Sequence, residues 1–183
     1  MKIKIFIILI LILLIAGLIF FFQKPQDIKH NVIDKTQVVD SGATVTIKNF
    51  KQISRNKGKV TGILKAELAL IFPQKQKVKL VNPELTYFHK NGEKVIVKSS
   101  KGFINMASKD VRISGGVTIK NSMYTFKTQV LKYDRSKNIL YSNGEVEIDS
   151  DSLKLKSKKL FVNLSNNTVE FKGNVEGYFS ENY

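Results

Sequence analysis

Two patterns of hydrophobic and polar positions divide this chain. At the start, Lys2 and Lys4 precede an unbroken apolar run from Ile5 to Phe22, which Gln23-Lys24-Pro25 ends. Such a run, as a helix, extends ~27 Å, near the ~30 Å of a bilayer's hydrocarbon core. A cleaved signal peptide has a shorter apolar region followed by small residues. Here Ala16 and Gly17 are followed by bulky Leu18 to Phe22, so residues 1–22 predict an uncleaved transmembrane α-helix. The leading cations place the N-terminus in the cytoplasm and the remainder across the membrane. Residues 23–42, with Pro25, Asp27, Asp34, Asp40 and Gly42, show neither helical nor strand period and read as a tether.

From Ala43 onward the period is two. In residues 60–72 one parity carries Val60, Gly62, Leu64, Ala66, Leu68, Leu70 and Phe72, and no stretch after residue 22 offers a helical stripe. Residues 43–183 are therefore expected to be all-β. A repeat is also visible. Gly-x-Val-like steps occur at Gly115, Gly144 and Gly173, 29 residues apart. At the same offset Val95 matches Tyr124 and Leu153, Val97 matches Phe126 and Leu155, and Val111 matches Leu140 and Val169. Ile104, Tyr133 and Val162 form another column; Ser99, Thr128 and Ser157 form a polar one. The turn-rich segments 105–110, 134–138 and 163–167 coincide as well. Each unit thus supplies two long strands, and a glycine within a strand marks a bend. Gly115, Gly144 and Gly173 are expected to turn strands from one wall of a folded sheet to the other. Gly58 stands nearly two periods before Gly115, and residues 72–92 read as an insertion. Stacked units enclose an apolar interior that serves either as packed core or as a groove.

Charge and composition narrow the chemistry. The formal charge is +15, but only Arg55, Arg112 and Arg135 are arginines, which does not suit a nucleic-acid reader, and no nucleic acid is expected as a partner. Residues 143–183 hold 5 cations and 7 anions, so the last quarter differs electrostatically from the rest. With no Cys and two His, thiolate chemistry and His-rich metal centres are excluded. His89 lies beside an Asn-Gly turn and His30 in the tether. Glu145, Glu147 and Asp149 alternate with Val146 and Ile148, the pattern of a solvated strand face rather than a metal site. No nucleophile–base pair can be nominated, so neither enzyme activity nor a cofactor is expected.

An N-in anchor, a short tether and a strand repeat of this size together resemble the LptC family of the OstA-like superfamily. The segments Lys101-Gly102-Phe103-Ile104 through Gly115-Gly116-Val117, and Tyr133-Asp134 through Gly144-Glu145-Val146, carry the likeness. The resemblance implies an open, twisted β-jellyroll whose hydrophobic groove takes the acyl chains of lipopolysaccharide. It implies a single-pass protein of the inner membrane, with residues 43–183 in the periplasm. Its partners would be the permease subunits of the inner-membrane ABC transporter and a soluble periplasmic bridge protein. The expected groove residues are Val95, Val97, Val111, Val117, Ile119, Tyr124, Phe126, Val130, Leu140, Val146, Ile148, Leu153 and Leu155. The expected partner edge is the last pair of strands, with Thr168, Val169, Phe171, Val175 and Phe179. The alternative is an anchored scaffold subunit of an envelope or secretion complex that carries no lipid.

Overall fold

A computed structural model describes residues 45–89 and 92–180. The anchor and tether expected over residues 1–42 lie outside the described residues. Among those described, no helix is long and apolar enough to cross a membrane. In chain order the strands are β1 (Val45–Asn56), β2 (Lys59–Phe72), β3 (Lys77–Val81), β4 (Glu84–Phe88), β5 (Lys94–Lys98), β6 (Lys101–Asn105) and β7 (Val111–Lys120). They continue as β8 (Tyr124–Asp134), β9 (Ile139–Ser142), β10 (Val146–Ser150), β11 (Leu153–Ser157), β12 (Lys159–Asn163), β13 (Thr168–Lys172) and β14 (Glu176–Phe179).

The sheet folds into two walls that share a corner. Long strands β1, β2, β7 and β8 pass through the corner and serve both walls. The first wall runs from the trailing half of β1 through the leading half of β2, β4, β5, the end of β7, the start of β8, β10 and β11 to β14. The second runs from the leading half of β1 through the end of β2, β3, β6, the start of β7, the end of β8, β9 and β12 to β13. All pairs are antiparallel, and β1 lies at one edge with β13 and β14 at the other.

The corner explains the repeat. In β7 the double glycine Gly115-Gly116 takes φ of 84 and 76, and two residues there oppose one on β8. That is a bulge, and left-handed backbone favours glycine because a Cβ would crowd the carbonyl. Asn49 in β1, Asn82 between β3 and β4, and Gly173-Asn174 between β13 and β14 take the same conformation at the same corner. Hydrogen bonds seal it: Ser100 N donates to Gly115 O at 3.3 Å and Lys158 N to Gly173 O at 2.8 Å. The polar column found in the sequence lines the inside of this bend. Thr128 Oγ1 donates to Glu145 O at 2.8 Å and lies 2.9 Å from Ser142 Oγ, while Ser157 Oγ donates to Lys159 O at 3.0 Å. These hydroxyls replace ladder bonds that the bend removes, since a buried carbonyl left unpaired is costly.

The turns at the second wall's rim repeat too. Lys109, Asn138 and Asn167 are left-handed at the 29-residue offset, and Asn105, Asp134 and Asn163 each accept hydrogen bonds from backbone N–H groups of their own turns. One expectation needs correction. Residues 72–92 are no insertion: they hold β3 and β4, one strand for each wall. Gly58 forms with Lys57 the tight β1–β2 turn, both at positive φ.

Candidate functional site

The space between the walls is built from strand rows that face inward. Across the first wall the register aligns Gln52, Leu64, Leu85, Val97, Ile119, Phe126, Ile148, Leu155 and Gly177. Across the second it aligns Val45, Ile71, Val78, Ile104, Val111, Tyr133, Leu140, Val162 and Val169. An apolar interior thus runs from one edge of the sheet to the other. It is tightest around Val117, Val146, Leu160 and Val162, and is lined by a single core cluster. Towards β14 it is uncapped: Phe179 pairs with inward Leu153 yet is 65% exposed, and Val175 is 52% exposed.

A partly open cavity of about 60 Å³ separates Leu64, Leu85 and Val97 of the first wall from Leu80, Ile104, Val111, Ile113, Leu131, Tyr133 and Leu140 of the second. That is less than the ~150 Å³ which takes one benzene in an apolar core. The walls as they stand admit a few methylene groups, and a longer chain would require them to part. The cavity's polar groups lie at its borders. Ser99 sits at the corner, and the Tyr133 hydroxyl donates to Asn138 Oδ1 at 3.3 Å. Burial pushes the Tyr133 phenol above its ordinary value, with nearby Arg135 opposing the shift; burial also raises Tyr87. Neither is placed to act as a base. Among the described residues no group of three His, Asp or Glu is arranged to hold a metal ion, and Glu147 instead reaches Lys156 at 3.6 Å.

Of the residues expected inside, Val97, Val111 and Leu140 line the cavity. Val95, Val117, Ile119, Phe126, Val146, Ile148 and Leu153 are buried, and Tyr124 and Leu155 are half-buried against the same core. Val130 is a correction. It pairs with Ser114 on the outer face, because Thr128 and Leu131, both buried, bracket it across the bend. A strand that crosses the corner puts two residues between inward positions, so parity flips there. The same flip in β2 buries Ala69 (1% exposed) and leaves Leu68 and Leu70 on the outer side, half-buried, against the single parity expected for residues 60–72. Sequence reasoning missed Leu80 and Leu85, which lie in the supposed insertion, and Leu131, which lies past the flip. Asn49 and Asn82 were the available signal for corners without glycine.

Among the bend glycines, Gly115 is confined most. A Cβ there would stand 2.9 Å from Ser100 Cβ, on left-handed backbone. At Gly173 it would meet Lys158 Cβ at 3.2 Å. Gly144 lies at the bend but is not left-handed, and a Cβ would meet only Ser142 Oγ at 4.0 Å. At the expected partner edge, β13 and β14 have no further strand beyond them among the described residues. Val169 and Phe171 there are half-buried and Thr168 is exposed.

No curated protein matches the chain. One solved structure that does is the crystal structure of LptH, described as the LptA-homologous periplasmic component of the lipopolysaccharide transport device of Pseudomonas aeruginosa. It shares 9% identity at a TM-score of 0.31, covering 76% of this chain and 96% of that one. The model of one family, described as lipopolysaccharide-assembly, LptC-related, matches residues 9–180. Because that match takes in nearly the whole chain, from within the apolar run to the end of the last strand, the chain belongs to the LptC family.

Proposed function

We propose that this protein is a single-pass, inner-membrane subunit of lipopolysaccharide transport, with its β-domain in the periplasm. In this reading it receives lipopolysaccharide from the ABC transporter's permease subunits and holds the acyl chains between its two walls. It then passes them along the interior to a soluble bridge protein. The observation that carries the reading is the pair of inward rows that run from β1 to the uncapped β13–β14 end. An interior continuous from edge to edge suits a conveyor. The uncovered last strands also suit addition of a partner's strand, which needs a free row of N–H and C=O groups. The protein makes and breaks no bond in this scheme.

The small cavity favours the scaffold alternative, in which the walls never part. Mass spectrometry of lipids extracted from the purified full-length chain separates the two. The transport reading predicts bound glycolipid, depleted when Phe126 is replaced by Asp in protein that remains folded. Protein free of glycolipid after purification from cells with an active transporter would leave only the scaffold.

A further inference from the structure

The outer faces of the two walls differ in a way that the interior does not require. On the first wall the outward row reads Lys65, Glu84, Lys98, Thr118, Lys127, Glu147 and Lys156, where acids lie beside lysines: Glu84 meets Lys98 at 2.8 Å and Glu147 meets Lys156 at 3.6 Å. On the second wall the matching row reads Lys79, Phe103, Arg112, Lys132, Tyr141 and Phe161. Lys79, Arg112 and Lys132 meet no acid among the described residues. Lys132 instead lies over the Tyr141 ring at 5.5 Å and Lys79 over Phe72 at 5.1 Å. The acids on this face are occupied locally, Glu170 by Lys172 at 2.6 Å and Asp134 by Lys137 at 3.7 Å. Phe161 is 38% exposed, and the row passes from it to Glu170 on β13. The six residues span six adjacent strands, or ~24 Å at ~4.8 Å per strand.

Unpaired cations interleaved with aromatic rings on a broad face match an anionic lipid surface. Basic side chains are drawn to its charge, and aromatic rings settle at headgroup level. Position points the same way. The leading residues of β1 belong to this wall, so the chain enters the domain on its border. The apolar run ends at Phe22, which puts Val45 at most ~80 Å from a membrane segment by covalent reach alone. We propose that the outer face of the second wall docks on an anionic phospholipid bilayer, laying the domain against the membrane that its N-terminal segment is expected to cross. This goes beyond the cargo reading and does not depend on it.

The chain contains no Trp, so Phe161→Trp supplies a single fluorescent reporter. The full-length variant is placed in vesicles of phosphatidylcholine and phosphatidylglycerol that carry a shallow brominated lipid and no glycolipid. The expected result is a blue-shifted, quenched tryptophan, with the quenching lost in pure phosphatidylcholine and in high salt. Ile96→Trp, on the outer face of the first wall, should stay unquenched. Adding Arg112→Glu and Lys132→Glu to Phe161→Trp should remove most of the quenching without changing the melting curve, since each basic residue contributes about fivefold to such binding. Equal quenching at both tryptophans, or none at Phe161→Trp on anionic vesicles, overturns the proposal. So does an unquenched face that crosslinks through position 161 to a polypeptide in cells, which would make the occupant a protein.

Discussion

The two ends of the sheet do the same job with different parts. At the N-terminal edge a single twelve-residue strand, β1, turns the corner and pairs with β2 along both walls. At the C-terminal edge the work is divided between β13, of five residues, and β14, of four, with left-handed Gly173-Asn174 between them. A continuous strand couples the walls through its own backbone and fixes their angle. A broken one leaves each wall to end separately, and every residue of β14 is exposed. The comparison shows where the walls are tied most weakly: at β13–β14, where only the Gly173-Asn174 link joins them, rather than at the edge that β1 spans in one strand.

The largest expected effect sets a residue of the coupled region against one of the open end. Leu131 is 2% exposed and lines the cavity, so Leu131→Ala should cost ~3–5 kcal/mol by enlarging a void already present. Phe179→Ala, at a residue 65% exposed, should stay within ~0.5 kcal/mol. Denaturant titration of the purified chain checks both, and similar losses would mean that the last strand packs as tightly as the core. Next in size is the corner. Gly115→Val combines a left-handed backbone with a contact of 2.9 Å and should cost ~3 kcal/mol, whereas Gly144→Val should cost ~1 kcal/mol or less. Equal effects would show that the bend does not depend on the β7 bulge.

A third test weakens the corner without touching its backbone. Thr128→Val keeps the shape but removes the bonds to Glu145 O and Ser142 Oγ, at a cost of ~1–3 kcal/mol. Adding Ser142→Ala should cost less than Ser142→Ala alone, because the contact between the two hydroxyls is then already gone and only the bonds between Ser142 Oγ and the Gly144 backbone are left to lose. Additive losses in the double variant would contradict that coupling. The smallest effect is on the first wall's exterior. The hydrogen bond from Lys98 holds the Glu84 carboxyl below its ordinary value, and burial partly opposes the shift. A lowered carboxylate pKa stabilises above the ordinary range and loses that contribution as pH falls through the lowered value. Lys98→Ala should therefore cost a few tenths of a kcal/mol near neutrality, the pair being largely exposed, and the difference should vanish on acidification. A difference unchanged down to the acid limit would assign it to packing.

Much of this architecture was legible in the residues, and the failures share one cause. Alternation gave the strands, and the 29-residue columns gave the turns: Lys109, Asn138 and Asn167 sit at equivalent positions as the repeat requires. Buried Phe126 beside exposed Lys127 bears out the parity read there. Period two, however, holds only along a straight strand. It does not report a corner, so Val130 was placed inside and Leu131 passed over. Glycine spacing reported only those corners that use glycine, which left Asn49 and Asn82 unseen and made 72–92 look like an insertion. The cavity was not legible at all, because it lies between residues brought together from opposite walls.

The central claim, that lipid acyl chains travel between the walls, is tested most directly by neighbouring crosslinkers in the full-length chain. Phe126 is 4% exposed and faces inward, and Lys127 faces out on the same strand. A photoreactive phenylalanine analogue at position 126 should capture lipopolysaccharide in membranes supplied with ATP and fail to do so without it. The same group at 127 should capture none in either condition. Capture at 127 equal to that at 126, or capture at neither in a transporting membrane, would contradict an interior route.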